Sequence, residues 1–405
     1  MFIAKDSTAG FEVWKLDIGT QSPIAITDLS TQYSHAFINS NTLVADGYYF
    51  FHAANGISNG LWKTDGTPGG AELVFNPYIL PQYSTNGEFV KVGNLIYFSA
   101  YDGRTPRLYV TDGTTAGTRR IANFYGDSPS NVNSLTYFKG ELYFVASNLL
   151  GPELWKTNGT AAGTTFVKPL ATDGRGSNPT ELIVAGDILY FKIVPSGQST
   201  QLARSDGTVE GTYAIATVVA NEFIPFGDRL FLSQYDFQGT ELWVSDGTIG
   251  PPTLFLDINK LPTVGSEPND LLRVGTKVFF TANDGSTGRE LWVTDGSTNE
   301  TYLVRDIYSG SKSSQPGAFF AIDNILYFAA TDAANGLQIW RSDGTTAGTY
   351  RLTSFLNSSN QLRPVIIQPE GDLGGSLYFI LENSQRELWR IDGDTDQVQR
   401  IKTFA

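Results

Sequence analysis

Glu241-Leu242-Trp243-Val244-Ser245-Asp246-Gly247-Thr248 decides the reading of this chain, because close copies recur from one end to the other. The clearest others start at Glu153, Glu290 and Gln338, and weaker ones at Glu12, Gly60, Arg107, Gln201 and Glu387. Aligning the turn acid gives Asp17, Asp65, Asp112, Asn158, Asp206, Asp246, Asp295, Asp343 and Asp392, at steps of 40 to 49 residues. A single motif at a nearly constant step means that the 405 residues are built from repeats rather than from unrelated cores. All seven tryptophans (Trp14, Trp62, Trp155, Trp243, Trp292, Trp340, Trp389) take the same motif position, as expected of a packing slot filled once per unit.

Working outward from the motif, each unit reads as four short strands, A to D. In the seventh these are expected near Asp270–Val274, Lys277–Ala282, Glu290–Thr294 and Tyr302–Ile307. A tight Gly-containing turn such as Val274-Gly275-Thr276 joins A to B, and the Asp-Gly-Thr segment joins C to D. Asp bonds its own backbone two residues on, Gly accepts positive φ, and the β-branched Thr returns the chain to extended conformation. Strands B, such as Leu142-Tyr143-Phe144-Val145, are continuously apolar, which indicates burial on both faces. Four-stranded antiparallel units of this length, joined by longer links rich in Ser, Pro and Gly, predict an all-β fold, a β-propeller.

The first unit opens directly with a strand B at Phe2–Asp6 and the ninth ends with a strand D at Val398–Phe404. Nine blades with one three-stranded is therefore the expected count, eight being the alternative, in a single propeller spanning 1–405. The missing first strand points to a chain that is part of a longer protein. The sixth unit is the short one, its D-to-A link near Val219-Ala220-Asn221 lacking the usual Ser-Pro insertion.

Glu241 to Thr248 and Trp340-Arg341-Ser342-Asp343-Gly344-Thr345 resemble the bacterial ELWxxDGT-repeat family, and the likeness covers essentially the whole chain. The resemblance implies a bacterial surface or secreted protein and carries no assigned reaction. Asn158 for Asp and Ser297 for Thr depart from the pattern, as does the insertion in Asp17-Ile18-Gly19. Such drift favours a structural role for the motif.

A net charge of -13 argues against nucleic acid or an anionic membrane as partner, since both select a basic face. No apolar run is long enough to span a bilayer, so no membrane insertion is expected, and Met1 to Gly10 lacks the apolar core of a signal peptide. The resemblance alone implies an extracellular or cell-surface location, with a cytoplasmic one as the alternative. The absence of cysteine excludes disulfides and thiolate chemistry. His35 and His52 fall in one unit with no obvious third ligand and are expected to be ordinary packed or surface residues. No nucleophile elbow, phosphate loop or HExxH motif is present, so no catalytic residue is assigned.

Two sets of residues point to binding. Strand B often ends in an acid (Asp6, Asp102, Asp236, Asp284, Asp332) and strand C often starts with Glu, so one face could carry an acidic ring offering oxygen ligands to Ca2+. The D-to-A loops emerge on that same face and carry Tyr33, Tyr78, Tyr83, Tyr125, Arg175, Tyr308 and Arg363. Such residues stack and hydrogen-bond, as a glycan or protein ligand requires. The leading expectation is a non-catalytic interaction module, a multivalent lectin-like binder in its specific form, acting as a monomer or within a longer chain. A polysaccharide-active enzyme and a structural spacer are the alternatives.

Overall fold

The β-branched and aromatic runs of strands B form central strands in the computed structural model, where each pairs antiparallel with A on one side and C on the other. The structure describes residues 1–6, 10–17, 22–29, 37–54, 59–76, 88–101, 106–121, 131–149, 151–171, 174–261, 264–354, 363–367, 375–382 and 386–404. Among them are thirty-five strands in nine sheets and no helix. The first sheet has three strands, Phe2–Asp6, Gly10–Asp17 and Ser22–Ala25, and each of the other eight has four in sequence order. This is the blade construction of a β-propeller, with nine blades, the first three-stranded, as the repeat arithmetic required.

Blade 7 comprises Asn269–Val274, Lys277–Asn283, Arg289–Thr294 and Thr301–Arg305. Its strand D ends two residues earlier than expected because the Ile307 N–H turns to the Glu290 carboxylate at 3.1 Å instead of continuing the ladder. The chain divides into two compact units, Met1–Thr217 with blades 1 to 5 and Val218–Ala405 with blades 6 to 9. Within the first, strands A of blades 2 to 5 lie side by side, and within the second so do those of blades 6 to 9.

The repeated turn is a hydrogen-bonded cage. Thr67 donates its N–H (2.9 Å) and its hydroxyl (2.6 Å) to Asp65 Oδ1, while Gly66 N–H donates to the Thr64 hydroxyl at 3.1 Å. Asp112, Asp206, Asp246 and Asp343 repeat the pattern, as does Asp295 with Ser297. Asn158 serves as well because only its carbonyl oxygen is used. The hydroxyl donors hold Asp65, Asp112, Asp206 and Asp295 below the usual carboxylate range.

Successive blades are tied through these turns. Lys63 reaches Gly113 O of the next blade at 2.9 Å, Arg119 reaches Gly159 O at 2.9 Å and Lys139 reaches Asp206 O at 3.1 Å. In the second unit Arg229 reaches Gly296 O at 2.6 Å and Lys277 reaches Asp343 O at 2.8 Å. Apolar clusters fill the same interfaces. Phe144 and Trp155 of blade 4 pack with Leu108 and Val110 of blade 3, and Phe328 and Trp340 of blade 8 pack with Phe279 and Leu291 of blade 7. Trp155, Trp292 and Trp340 are buried, whereas Trp14, Trp62, Trp243 and Trp389 are partly exposed, so the slot varies in depth from blade to blade.

Candidate functional site

The residues singled out from the sequence that the structure describes lie on separate elements. Tyr33, Tyr78, Tyr83, Tyr125, Asp102 and His35 lie outside the described residues. Arg363 starts strand A of blade 9, and Arg175 is exposed on the link from blade 4 to blade 5. Tyr308 is half-buried beneath Lys312, whose Nζ lies 5.3 Å from the ring centroid. Asp6 pairs with Gly10 at the end of the first strand.

The other strand-B acids serve the B–C hairpins. Asp236 accepts the Gln238 N–H at 2.7 Å, Asp284 accepts Ser286 and Thr287 N–H at 2.8 and 2.7 Å, and Asp332 accepts Ala334 and Asn335 N–H at 2.9 and 2.6 Å. Asp332 also pairs with Arg351 at 2.9 Å. Among the described residues no group of three or more His, Asp or Glu is placed to hold a metal ion, because these acids are spread one per hairpin.

The strand-C glutamates do not form an exposed ring either. Glu12, Glu153, Glu241 and Glu290 are buried and anchor the D-to-A link of their own blade. Glu290 accepts Ile307 N–H, Ser314 N–H at 2.8 Å and the Ser314 hydroxyl at 2.5 Å, and Glu241 accepts the Ser266 N–H at 2.8 Å and its hydroxyl at 2.5 Å. Glu153 takes the Ser177 hydroxyl and Glu12 that of Thr27. Burial pushes Glu153, Glu241 and Glu290 above the usual range, against the pull of these donors. His52 is buried with its ring stacked 4.7 Å from Phe89, and burial lowers its pKa to about 4.

The Ser-Pro insertion of the D-to-A links has a fixed pattern that the sequence reading did not define, Ser177-Asn178-Pro179, Ser266-Glu267-Pro268 and Ser314-Gln315-Pro316. The Ser anchors to the strand-C Glu in each case, and the residue before Pro takes φ of 48, 48 and 50°. Three residues on, Glu181, Asp270 and Ala318 take φ of 54, 56 and 52°, and Ser134 in blade 4 takes 55°, at a register shift in strand A. Each is a β-bulge that turns the start of strand A away from its ladder. Two of the bulges are capped from the preceding blade. Glu88 accepts Leu135 N–H at 2.6 Å, and Glu222 accepts Asp270 and Leu271 N–H at 3.2 and 3.0 Å.

In the second unit the bulged starts of strands A surround a polar depression of about 400 Å³. Asn221 comes from blade 6, Asn269 and Asp270 from blade 7, and Gln315 from the link into blade 8, with Thr240, Thr281, Glu267, Arg289 and the two link prolines Pro268 and Pro316 completing the wall. Arg289 is fixed by Glu267 Oε2 at 2.8 Å, Glu267 O at 2.7 Å and Thr281 Oγ1 at 3.1 Å. Asp270 occupies the register position that Glu222 and Glu88 hold in their blades, but it is one methylene shorter. Among the described residues it makes no corresponding bond to blade 8. Burial, and then the charge of Glu222, raise its pKa. The depression thus combines two amide side chains from adjoining blades, a third amide, a carboxylate and a guanidinium held in place. That set can donate to and accept from a ligand rich in hydroxyl groups.

No described helix is long and apolar enough to cross a membrane. No family model and no curated protein matches the chain. Among solved structures it is similar to a puromycin-hydrolyzing peptidase of Mycobacterium tuberculosis, at 11% identity over 85% of this chain and 57% of that one, with a TM-score of 0.43. It is similar also to prolyl oligopeptidase B of Galerina marginata, at 12% identity over 91% of this chain and 50% of that one (TM-score 0.43), and to TolB of Acinetobacter baumannii, at 14% identity over 61% of each (TM-score 0.34). The chain therefore spans about half to three-fifths of the proteins it resembles in structure.

Proposed function

We propose that this chain is a non-catalytic binding module of a bacterial surface or secreted protein of the ELWxxDGT-repeat kind, and that it recognises a glycan. The observation that carries the reading is the amide-rich depression, with Asn221 and Asn269 of adjoining blades and Gln315 of the next link drawn together. Amide side chains both donate and accept, which matches vicinal hydroxyl pairs, and a rigid sheet scaffold holds them without an ordering cost on binding. Binding of the purified chain to a broad glycan array tests this. Saturable binding that weakens about tenfold or more in Asn269→Ala supports it, and a blank array moves the function to a protein partner or a spacer role. Binding is expected to persist in chelator, because Asp236, Asp284 and Asp332 are engaged in their own hairpins.

A second reading, a polysaccharide-active enzyme, is favoured by one feature: the half-buried Asp270, whose carboxyl is pushed up by burial and by Glu222. It requires turnover of a glycan polymer that disappears in Asp270→Asn. Binding without product release decides for the module.

A further inference from the structure

Resting on the glycan reading of the same depression, we infer that its ligand is an amino sugar with a free ammonium group. Asp270 would act as the counter-ion, the Asn221, Asn269 and Gln315 amides would take ring hydroxyls, and Tyr235 with Phe237 would form a stacking rim. Charge is the first ground. Among the described residues the one cation lining the depression, Arg289, is paired with Glu267 at 2.8 Å. Glu222 spends its carboxylate on the N–H groups of Asp270 and Leu271, which leaves Asp270 as the acid facing the open volume. Asp270 has only the Asn269 and Thr281 side chains and a share of the Arg289 charge beside it, so the lining keeps two carboxylates against one cation, and an ammonium would add the missing full counter-charge in a charge-assisted hydrogen bond.

The rim is an independent ground. Tyr235 stands directly across from Thr240 in the B–C ladder of blade 6, and cross-strand partners share a face of the sheet, so the ring lies on the side of a residue that lines the depression. Its own N–H bonds Val219 O at 2.8 Å, two residues before Asn221. Tyr235 is 56% exposed, Phe237 at the hairpin tip is 86% exposed, and Val219 beside them is 59% exposed. Exposed aromatic side chains of the hairpin that supplies Thr240 to the depression would add an apolar ring face to its hydroxyl-binding edge, the two halves of pyranose recognition, and aromatic faces attract a cationic ligand further.

The test titrates the full chain with a β-1,4-linked glucosamine oligomer and with its fully N-acetylated counterpart, which is neutral but of the same length. The free amine is expected to bind about tenfold tighter, as one charge-assisted hydrogen bond warrants, and the preference should shrink as salt rises. Asp270→Asn should bring the ratio close to one, while Asp284→Asn, outside the depression, should leave it in place. Equal binding of the two oligomers by the unmodified chain, or a preference indifferent to salt, overturns the amino-sugar assignment and leaves the glycan reading standing. Binding of neither, with a blank array, overturns both.

Discussion

Gly159 sits at φ +89°, and a Cβ added there would stand 2.6 Å from the buried Tyr97 hydroxyl of the preceding blade. Two demands therefore fall on one residue, a left-handed turn and a close approach. Gly140, at φ +83°, meets only the first, since nothing lies within 4 Å of its Cβ position. Denaturant unfolding should show Gly140→Ala costing about 1–2 kcal/mol for the left-handed backbone. Gly159→Ala should cost a further 1–3 kcal/mol or so from overpacking, and equal losses would mean that the aromatic contact is not a constraint. Glu290 offers a second test. Its carboxylate receives only donors, from Ile307, Tyr308 and Ser314, so Glu290→Gln forces an amide NH2 against an N–H. The expected loss is about 1–3 kcal/mol, and an unchanged midpoint would contradict the anchoring role.

The elements were largely legible in the sequence. The turn acid at a fixed step located the C–D hairpins, the continuous apolar runs located strands B, and the missing first strand gave a three-stranded blade. Ser266-Glu267-Pro268 was passed over because Ser and Pro read as generic loop composition, although the three-residue pattern recurs at Ser177 and Ser314. The strand-C glutamates were misjudged for a related reason. An Asp at a hairpin and a Glu at a strand start look exposed in a sequence, and only the pairing reveals that the Glu side chains turn inward to a serine. This partition of acids fixes the pH response. Glu153, Glu241 and Glu290 have folded pKa values raised above the ordinary value of 4.5, so the native state holds more protons than the unfolded chain just above that pH. The turn acids Asp65, Asp112, Asp206 and Asp295 are depressed below 3.8, so their contribution is intact above 3.8 and disappears as pH falls through their lowered values. Melting temperature should therefore rise as pH falls toward the ordinary glutamate value of 4.5 and fall again as pH drops below 3.8. A monotonic decline from pH 7 downward would contradict this assignment of the glutamates.

At the scale of each compact unit, stability rests on interfaces between consecutive blades, because both apolar clusters named above draw their residues from two consecutive blades of one unit. Trp155, 3% exposed and bonded through Nε1 to Ala146 O at 3.0 Å, is a stronger test of this than the partly exposed Trp243. Trp155→Ala should cost about 3–5 kcal/mol, and a loss below about 1 kcal/mol would place the ring outside the load-carrying packing. The candidate site belongs to this scale too. Asn221, Asp270, Arg289 and Gln315 are far apart in the sequence, and only the bulged starts of successive strands A bring them to one depression, so no local pattern announced them. The aromatic rim escaped notice because Tyr235 and Phe237 lie in a B–C hairpin, whereas the loop tyrosines were sought on the D-to-A links. The measurement that bears most directly on the account is amide hydrogen exchange of the full chain with and without a saturating glycan ligand. Slowed exchange confined to the segments around Ser266–Asp270 and Ser314–Gly317, with the hairpin at Tyr235–Thr240, is the predicted result. Protection elsewhere, or none at saturation, would contradict the assignment of the binding face.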